Sequence, residues 1–270
     1  MKILRNVTVG DKIRLLSAFT LAEVLITLGI IGVVAAITLP TLIQNYQKKT
    51  YVEGLKVAVS TFENGFKKAM ADDGVDDLRN TELYKFCNWA SNKAEPQKCQ
   101  QMLNRYLKVI KFETENDLKA LGDTNGTIED TAKCKQLVGK ANKWWFLNNK
   151  TKCLGYIDTT LTFANGMRSN FALYDYNWNV GYIMPDINGS KGPNTWGRDV
   201  FRLTFLPNGH VVPHWGREAL SAWAKYKNND VEQTLQKYHQ LYIDTCTPTT
   251  TYNGEYCSVR VIDNGWKMDY

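Results

Sequence analysis

Histidine is scarce in this chain: only His210, His214 and His239 occur among 270 residues. None forms an H-E-x-x-H pair, so the zinc-protease ligand pattern is missing. His210 and His214 stand four apart, but Pro213 and the strand-like pattern around them argue against one helix presenting both. There is no phosphate-binding P-loop, no dinucleotide fingerprint and no G-x-S-x-G elbow. No two cysteines are spaced C-x-x-C. Nothing points to catalysis, and if the cysteines pair, no thiol nucleophile remains.

Charge of one sign is also in short supply. The formal balance is +6, but Lys2, Arg5, Lys12, Arg14 and Asp11 place half of that excess in the first 18 residues. The remainder carries no run of Lys and Arg, so there is no electrostatic footprint for nucleic acid and none is expected as a partner. Hydrophobic residues at 44% and charged residues at 22% are ordinary for a globular chain that buries a core.

What is present is an apolar segment near the N-terminus. Val24 to Leu39 reads VLITLGIIGVVAAITL without a charge. With Phe19–Glu23 it makes a helix of about 31 Å, which matches a hydrocarbon core of roughly 30 Å. Basic residues before it favour a cytoplasmic N-terminus. An ordinary secretory signal peptide, cut near Ala36, is the competing reading. Glu23 opposes that reading, because a carboxylate at the start of an oily run is costly and a signal peptide has no use for it. A polymer of such helices has a use, since a positive group of the next subunit can answer it.

The stretch from Ala18 to Thr38, AFTLAEVLITLGIIGVVAAIT, resembles the processing and methylation segment of type IV prepilins and type II secretion pseudopilins. The resemblance covers about 30 residues and implies a cut between Ala18 and Phe19, with Phe19 becoming an N-methylated first residue. Ala18 stands where the family usually carries Gly. Glu23 matches the family glutamate that neutralises a neighbour's new terminus and sets assembly register. Pro40 matches a recurrent proline at the end of the membrane part, where the helix kinks or melts. The implied organisation is a basic leader over residues 1–18, a transmembrane and polymerisation helix over 19–40, and a periplasmic or extracellular pilin-like head over 41–270. The implied partners are a prepilin peptidase, an inner-membrane assembly platform, other pilin or pseudopilin subunits and the lipid bilayer. The implied location is the inner membrane, single-pass with the head in the periplasm, and then a fibre.

Beyond Pro40 the helical period continues. Val52, Leu55, Val59, Phe62, Phe66 and Met70 recur at steps of three or four and predict a helix from about Thr20 to Met70 that ends near Asp72-Asp73-Gly74. Residues 75–150 read as irregular and mostly helical. Leu83, Phe86 and Trp89 could share one helix face, as could Met102, Tyr106 and Val109. Trp144, Trp145 and Phe146 read as core. From Leu154 onward the pattern turns to strands: Ile157, Thr159, Leu161 and Phe163 alternate, Asn165-Gly166 predicts a two-residue turn, and Met167, Ser169, Phe171 and Leu173 alternate back. Strands near Asn179–Met184, Val200–Leu206 and His210–Pro213 complete an antiparallel meander. One or two polar helices are expected between Gly216 and Tyr242. The fold class is α+β: a long N-terminal membrane helix packed on an antiparallel sheet, with helical insertions. This extra size favours a minor subunit.

Six cysteines, Cys87, Cys99, Cys134, Cys153, Cys246 and Cys257, all follow the apolar segment and fall into three neighbouring couples separated by 12, 19 and 11 positions. Six allow fifteen connectivities, so local pairing is one option among them. A membrane segment before them places them in an oxidising compartment, where they are disulfide candidates.

Between two of the strands, Asp186, Asn188, Asn194 and Asp199 offer four side-chain oxygens in a glycine-rich loop. A hard cation such as Ca²⁺ takes about six to eight oxygens, and the loop resembles in kind the calcium loop of major pseudopilins. The alternative is a turn in which Asp and Asn cap their own backbone.

Overall fold

The computed structural model describes residues 20–88, 95–141, 143–147, 152–156, 159–247 and 254–270. Ala18, Phe19, Trp89 and Ile157 lie outside these residues, as does the leader. The described chain is α+β, with a long apolar N-terminal helix and an antiparallel sheet. Helix α1 runs from Leu21 to Asp73 and stays helical through Pro40. Two compact units divide at Tyr46/Gln47, so the globular unit takes in the second half of α1.

Within that globular unit, the three-to-four spacing of apolar residues on α1 forms one buried stripe. Leu55, Ala58, Phe62, Phe66 and Ala69 have no exposed surface. The stripe packs on a six-stranded antiparallel sheet ordered β1-β5-β6-β7-β8-β9. Its strands are β1 (Val109–Glu113), β5 (Thr159–Phe163), β6 (Arg168–Leu173), β7 (Gly181–Asp186), β8 (Leu203–Phe205) and β9 (Val211–Pro213). Phe62 lies 5.6 Å from Phe163 in an edge contact and 5.9 Å from Phe205, and Phe66 meets Phe205 at 4.6 Å. Such aromatic pairs contribute about 0.5–1.5 kcal/mol each beyond their buried area.

The opposite sheet face is covered too. Ala172, Tyr182 and Met184 pack there with Trp144 and Trp196. Burial from both sides explains why every residue of β7 is buried instead of every second one. A second, three-stranded sheet is ordered β2-β4-β3, from β2 (Gly126–Ile128), β3 (Trp144–Trp145) and β4 (Cys153–Gly155).

The region after α1 departs from the helical expectation in part. Helices α2 (Glu82–Cys87), α3 (Pro96–Leu107), α4 (Glu115–Ala120) and α5 (Thr131–Leu137) are there, but β1, β2 and β3 interrupt them. Met102 and Tyr106 do lie on α3, whereas Val109 begins β1 after Lys108 leaves the helix with φ of 54°. These strands have two to five residues, too few for alternation to reveal them.

The β5–β6 hairpin forms, with Leu161 opposite Ser169, a register one residue away from the one a two-residue turn at Asn165-Gly166 would set. Its turn is different: Gly166 N–H donates to Phe163 O, and only Gly166 takes positive φ. Ala164 and Asn165 therefore form the turn centre and glycine closes a bulge, a three-residue solution instead of the two-residue one.

The tail holds α6 (Arg217–Tyr226), α7 (Val231–Asp244) and α8 (Cys257–Asp263). Trp215 stacks on Trp178 at 5.3 Å and on Tyr242 at 5.8 Å, and Trp223 meets Tyr238 edge-on at 6.0 Å. Tyr226 stays 45% exposed, so it is not core. Disulfides join Cys87 to Cys99, Cys134 to Cys153 and Cys246 to Cys257. The local pairing is thus the one adopted, and each bridge stabilises by about 2–4 kcal/mol.

Candidate functional site

Two places concentrate the residues singled out above: the start of α1 and the loop between β7 and β8. Among the described residues, α1 is the one helix long and apolar enough to cross a membrane. Leu21, Leu25, Ile26, Ile30, Ile31, Val33 and Ile37 are each more than half exposed. Between residues 20 and 46 the chain carries one charged side chain, Glu23.

Glu23 has a local role that the reading of its charge missed. Its Oε2 accepts from Thr20 N–H at 2.8 Å and from Thr20 Oγ1 at 2.8 Å, while Glu23 N–H donates to Thr20 Oγ1 at 3.2 Å. That is a capping box, and its Thr-x-x-Glu spacing was legible as such. A carboxylate accepts about four hydrogen bonds, so two from Thr20 leave capacity for another partner.

In the loop, the strand end at β7 fixes Asp186 and the return toward β8 fixes Asp199. Both are buried. Asp199 accepts from Asn194 N–H and from Thr195 N–H, each at 2.8 Å. Asp186 Oδ2 accepts from the Trp144 indole N–H at 3.0 Å. The Asn194 amide, oriented to suit its neighbours, donates to Asp186 Oδ2 at 3.0 Å and to Gly189 O at 2.6 Å, and accepts from Gly192 N–H. Asn188 Nδ2 donates to Gly192 O at 2.7 Å. All four predicted residues therefore meet in one network. Much of it is self-capping, as the turn alternative required.

Two oxygens stand apart from the network: Asp186 Oδ1 and Asn188 Oδ1 are buried without a hydrogen-bond partner. Burial and then the charge of Asp199 push the Asp186 carboxyl well above its ordinary range. Burial likewise moves Asp199 up, to about 6, against the pull of its amide donors. Among the described residues no three His, Cys, Asp or Glu side chains cluster as a metal set. A hard cation here would draw on Asp186 and Asn188 first, with carbonyls and water completing the shell.

The histidines are dispersed. Each has a different partner: Glu218 at 2.8 Å from His210, Thr204 at 2.6 Å from His214, and Asp263 at 2.7 Å from His239. Another cluster escaped sequence reading, since its members are scattered along the chain. Arg202 forms a partly buried ion pair with Glu255 and lies over Tyr156 and Tyr182 at 5.3 and 5.2 Å.

No protein-family model, no curated protein and no solved structure matches the chain.

Proposed function

We propose that this chain is a structural subunit, of the minor kind, of a type IV pilus or of a type II secretion pseudopilus. In this reading it enters the inner membrane by the apolar half of α1 with its N-terminus in the cytoplasm. A prepilin peptidase trims it at Ala18, an assembly platform feeds it into a fibre, and the α1 segments of many subunits bury one another. The role is mechanical and not catalytic. One observation carries the reading: an apolar helix whose large side chains stay exposed among the described residues, with Glu23 as its single charge from residue 20 to 46. The prepilin-like segment around it supports the same conclusion. The alternative is an anchored or secreted binding domain that does not polymerise.

The test is the mass of the mature N-terminal peptide from cells that possess the peptidase. An N-methylated Phe19 is expected; a chain beginning beyond residue 36 would sink the proposal.

A second reading concerns the loop. We propose that it binds Ca²⁺ through Asp186 and Asn188, supported by their two unpartnered buried oxygens and by the two acidic groups, Asp186 and Asp199, buried together. A cation there would satisfy the oxygens and offset the mutual repulsion of the carboxylates.

A further inference from the structure

We propose that Lys143 and Asp123 are joined by an amide bond, an isopeptide cross-link that forms within the head once it has folded. Asp123 lies three residues before β2, and Lys143 lies one residue before β3. Both strands pair antiparallel with β4, one on each side of it. The outer strands therefore run in the same direction and start at the same end of the small sheet. That topology brings the two side chains together. Lys143 Nζ is 3.0 Å from Asp123 Oδ1, and neither side chain has any exposed surface.

A lysine and an aspartate sealed from water are an expensive pair unless every polar atom is answered. Here the answers are incomplete in an informative way. Thr124 N–H donates to Asp123 Oδ1 at 2.7 Å, and Lys143 Nζ donates to Thr124 O in a short contact. Asp123 Oδ2 is buried with no hydrogen-bond partner. An orphan carboxylate oxygen in such a place is destabilising.

Condensation removes that orphan and keeps the other contacts. Transfer of a proton from the ammonium to the carboxylate cancels both charges, leaving an amine beside a carboxylic acid. The Nζ lone pair attacks Asp123 Cγ, the Nζ–Cγ bond forms and the Cγ–Oδ2 bond breaks. Oδ2 departs as water, carrying two of the three ammonium protons. The third stays on nitrogen and still donates to Thr124 O, while Oδ1 remains a carbonyl that still accepts from Thr124 N–H. No oxidant or further reactant is needed. Holding the amine against the carboxyl, with Nζ 3.0 Å from Oδ1, replaces a bimolecular encounter by an intramolecular one and so supplies rate that a free amidation lacks.

The bond would close a ring over residues 123–143 that contains α5 and Cys134. Since Cys134 is bonded to Cys153 on β4, all three strands of the small sheet would be tied covalently. This inference is independent of the fibre proposal, because neither residue belongs to α1.

The experiment is a mass measurement on the purified full chain with its three disulfides formed, followed by reduction, alkylation and tryptic mapping. The expected result is a deficit of one water, no cleavage after Lys143, and the peptide Ala120–Lys133 linked to Ala141–Lys150. Asp123→Asn should form the same bond with a deficit of one ammonia. Lys143→Arg and Asp123→Ala should show no deficit. A disulfide-bonded wild-type chain with linear mass and normal cleavage after Lys143 overturns the proposal. So does a water deficit that persists in Lys143→Arg.

Discussion

The Cγ2 methyl of Ile187 occupies the space that a side chain at Gly54 would need. Gly54 lies in the head portion of α1, and Ile187 directly follows Asp186, so the helix surface helps to set the position of the acidic loop. In an exposed helix, Gly→Ala gains about 1 kcal/mol. Here Ile187 is β-branched and short, with little freedom to swing aside. Gly54→Ala is therefore expected to destabilise the head by about 1–3 kcal/mol, the usual range for overpacking. A denaturant midpoint that rises in the variant would contradict this.

On the fibre proposal, Thr20 and Glu23 separate capping from assembly. Thr20→Ala removes the capping partner and should weaken the start of α1 by about 1 kcal/mol, with fibre formation retained. Glu23→Ala removes both the cap and the charge, and should abolish assembly while membrane insertion persists. Fractionation of membrane and sheared-fibre pools reads the two outcomes. Equal loss in both variants would reduce Glu23 to a helix cap.

The acidic loop should give the head a distinctive pH dependence. Folding raises the Asp186 and Asp199 carboxyls, so the folded state holds protons that the unfolded chain has released. Stability from this source is present at low pH and falls as pH rises from about 4 through about 6. His214 acts in the opposite sense: burial and then the charge of Arg202 hold it well below its ordinary value, so its contribution is lost on acidification below about 6.5. Comparing wild type with Asp199→Asn cancels the His214 part. Between pH 4 and 7 the wild type should lose on the order of 1–3 kcal/mol relative to the variant. Parallel pH profiles would refute the coupling.

Calcium should reverse that loss at neutral pH. At a free concentration about 100 times Kd, the folded state gains about 2.7 kcal/mol. Melting curves of the full chain in calcium and in chelator are expected to differ, and the difference should vanish in Asp186→Ala. Identical curves for the wild type would remove the cation from the account.

Reducing one bridge tests how the head is held. Cys134→Ala with Cys153→Ala opens a 19-residue separation and should cost about 2–4 kcal/mol. Urea denaturation followed by tryptophan fluorescence is suited to it, since Trp144 and Trp145 lie on the adjoining strand.

Long elements were legible in the residues and short ones were not. The apolar period of α1 extends over many turns, and its end at Asp73 falls within the expected stretch. The hairpin of β5 and β6 was readable because both strands alternate long enough to show a core face. β2 and β3, with three and two residues, owe their pairing to β4 and to the bridge at Cys134, which are distant contacts without a local pattern. The loop residues Asp186, Asn188, Asn194 and Asp199 were found from composition, but the indole of Trp144 that serves Asp186 comes from 42 positions away. Lys143 and Asp123 gave no signal either, since a charged pair announces burial only when the fold encloses it.

The cysteines pair in sequence order, first with second, third with fourth and fifth with sixth. An oxidant meeting thiols in the order in which a thread of polypeptide emerges would therefore join correct partners every time. Reshuffling enzymes would have little to repair, since no bridge skips over an intervening cysteine.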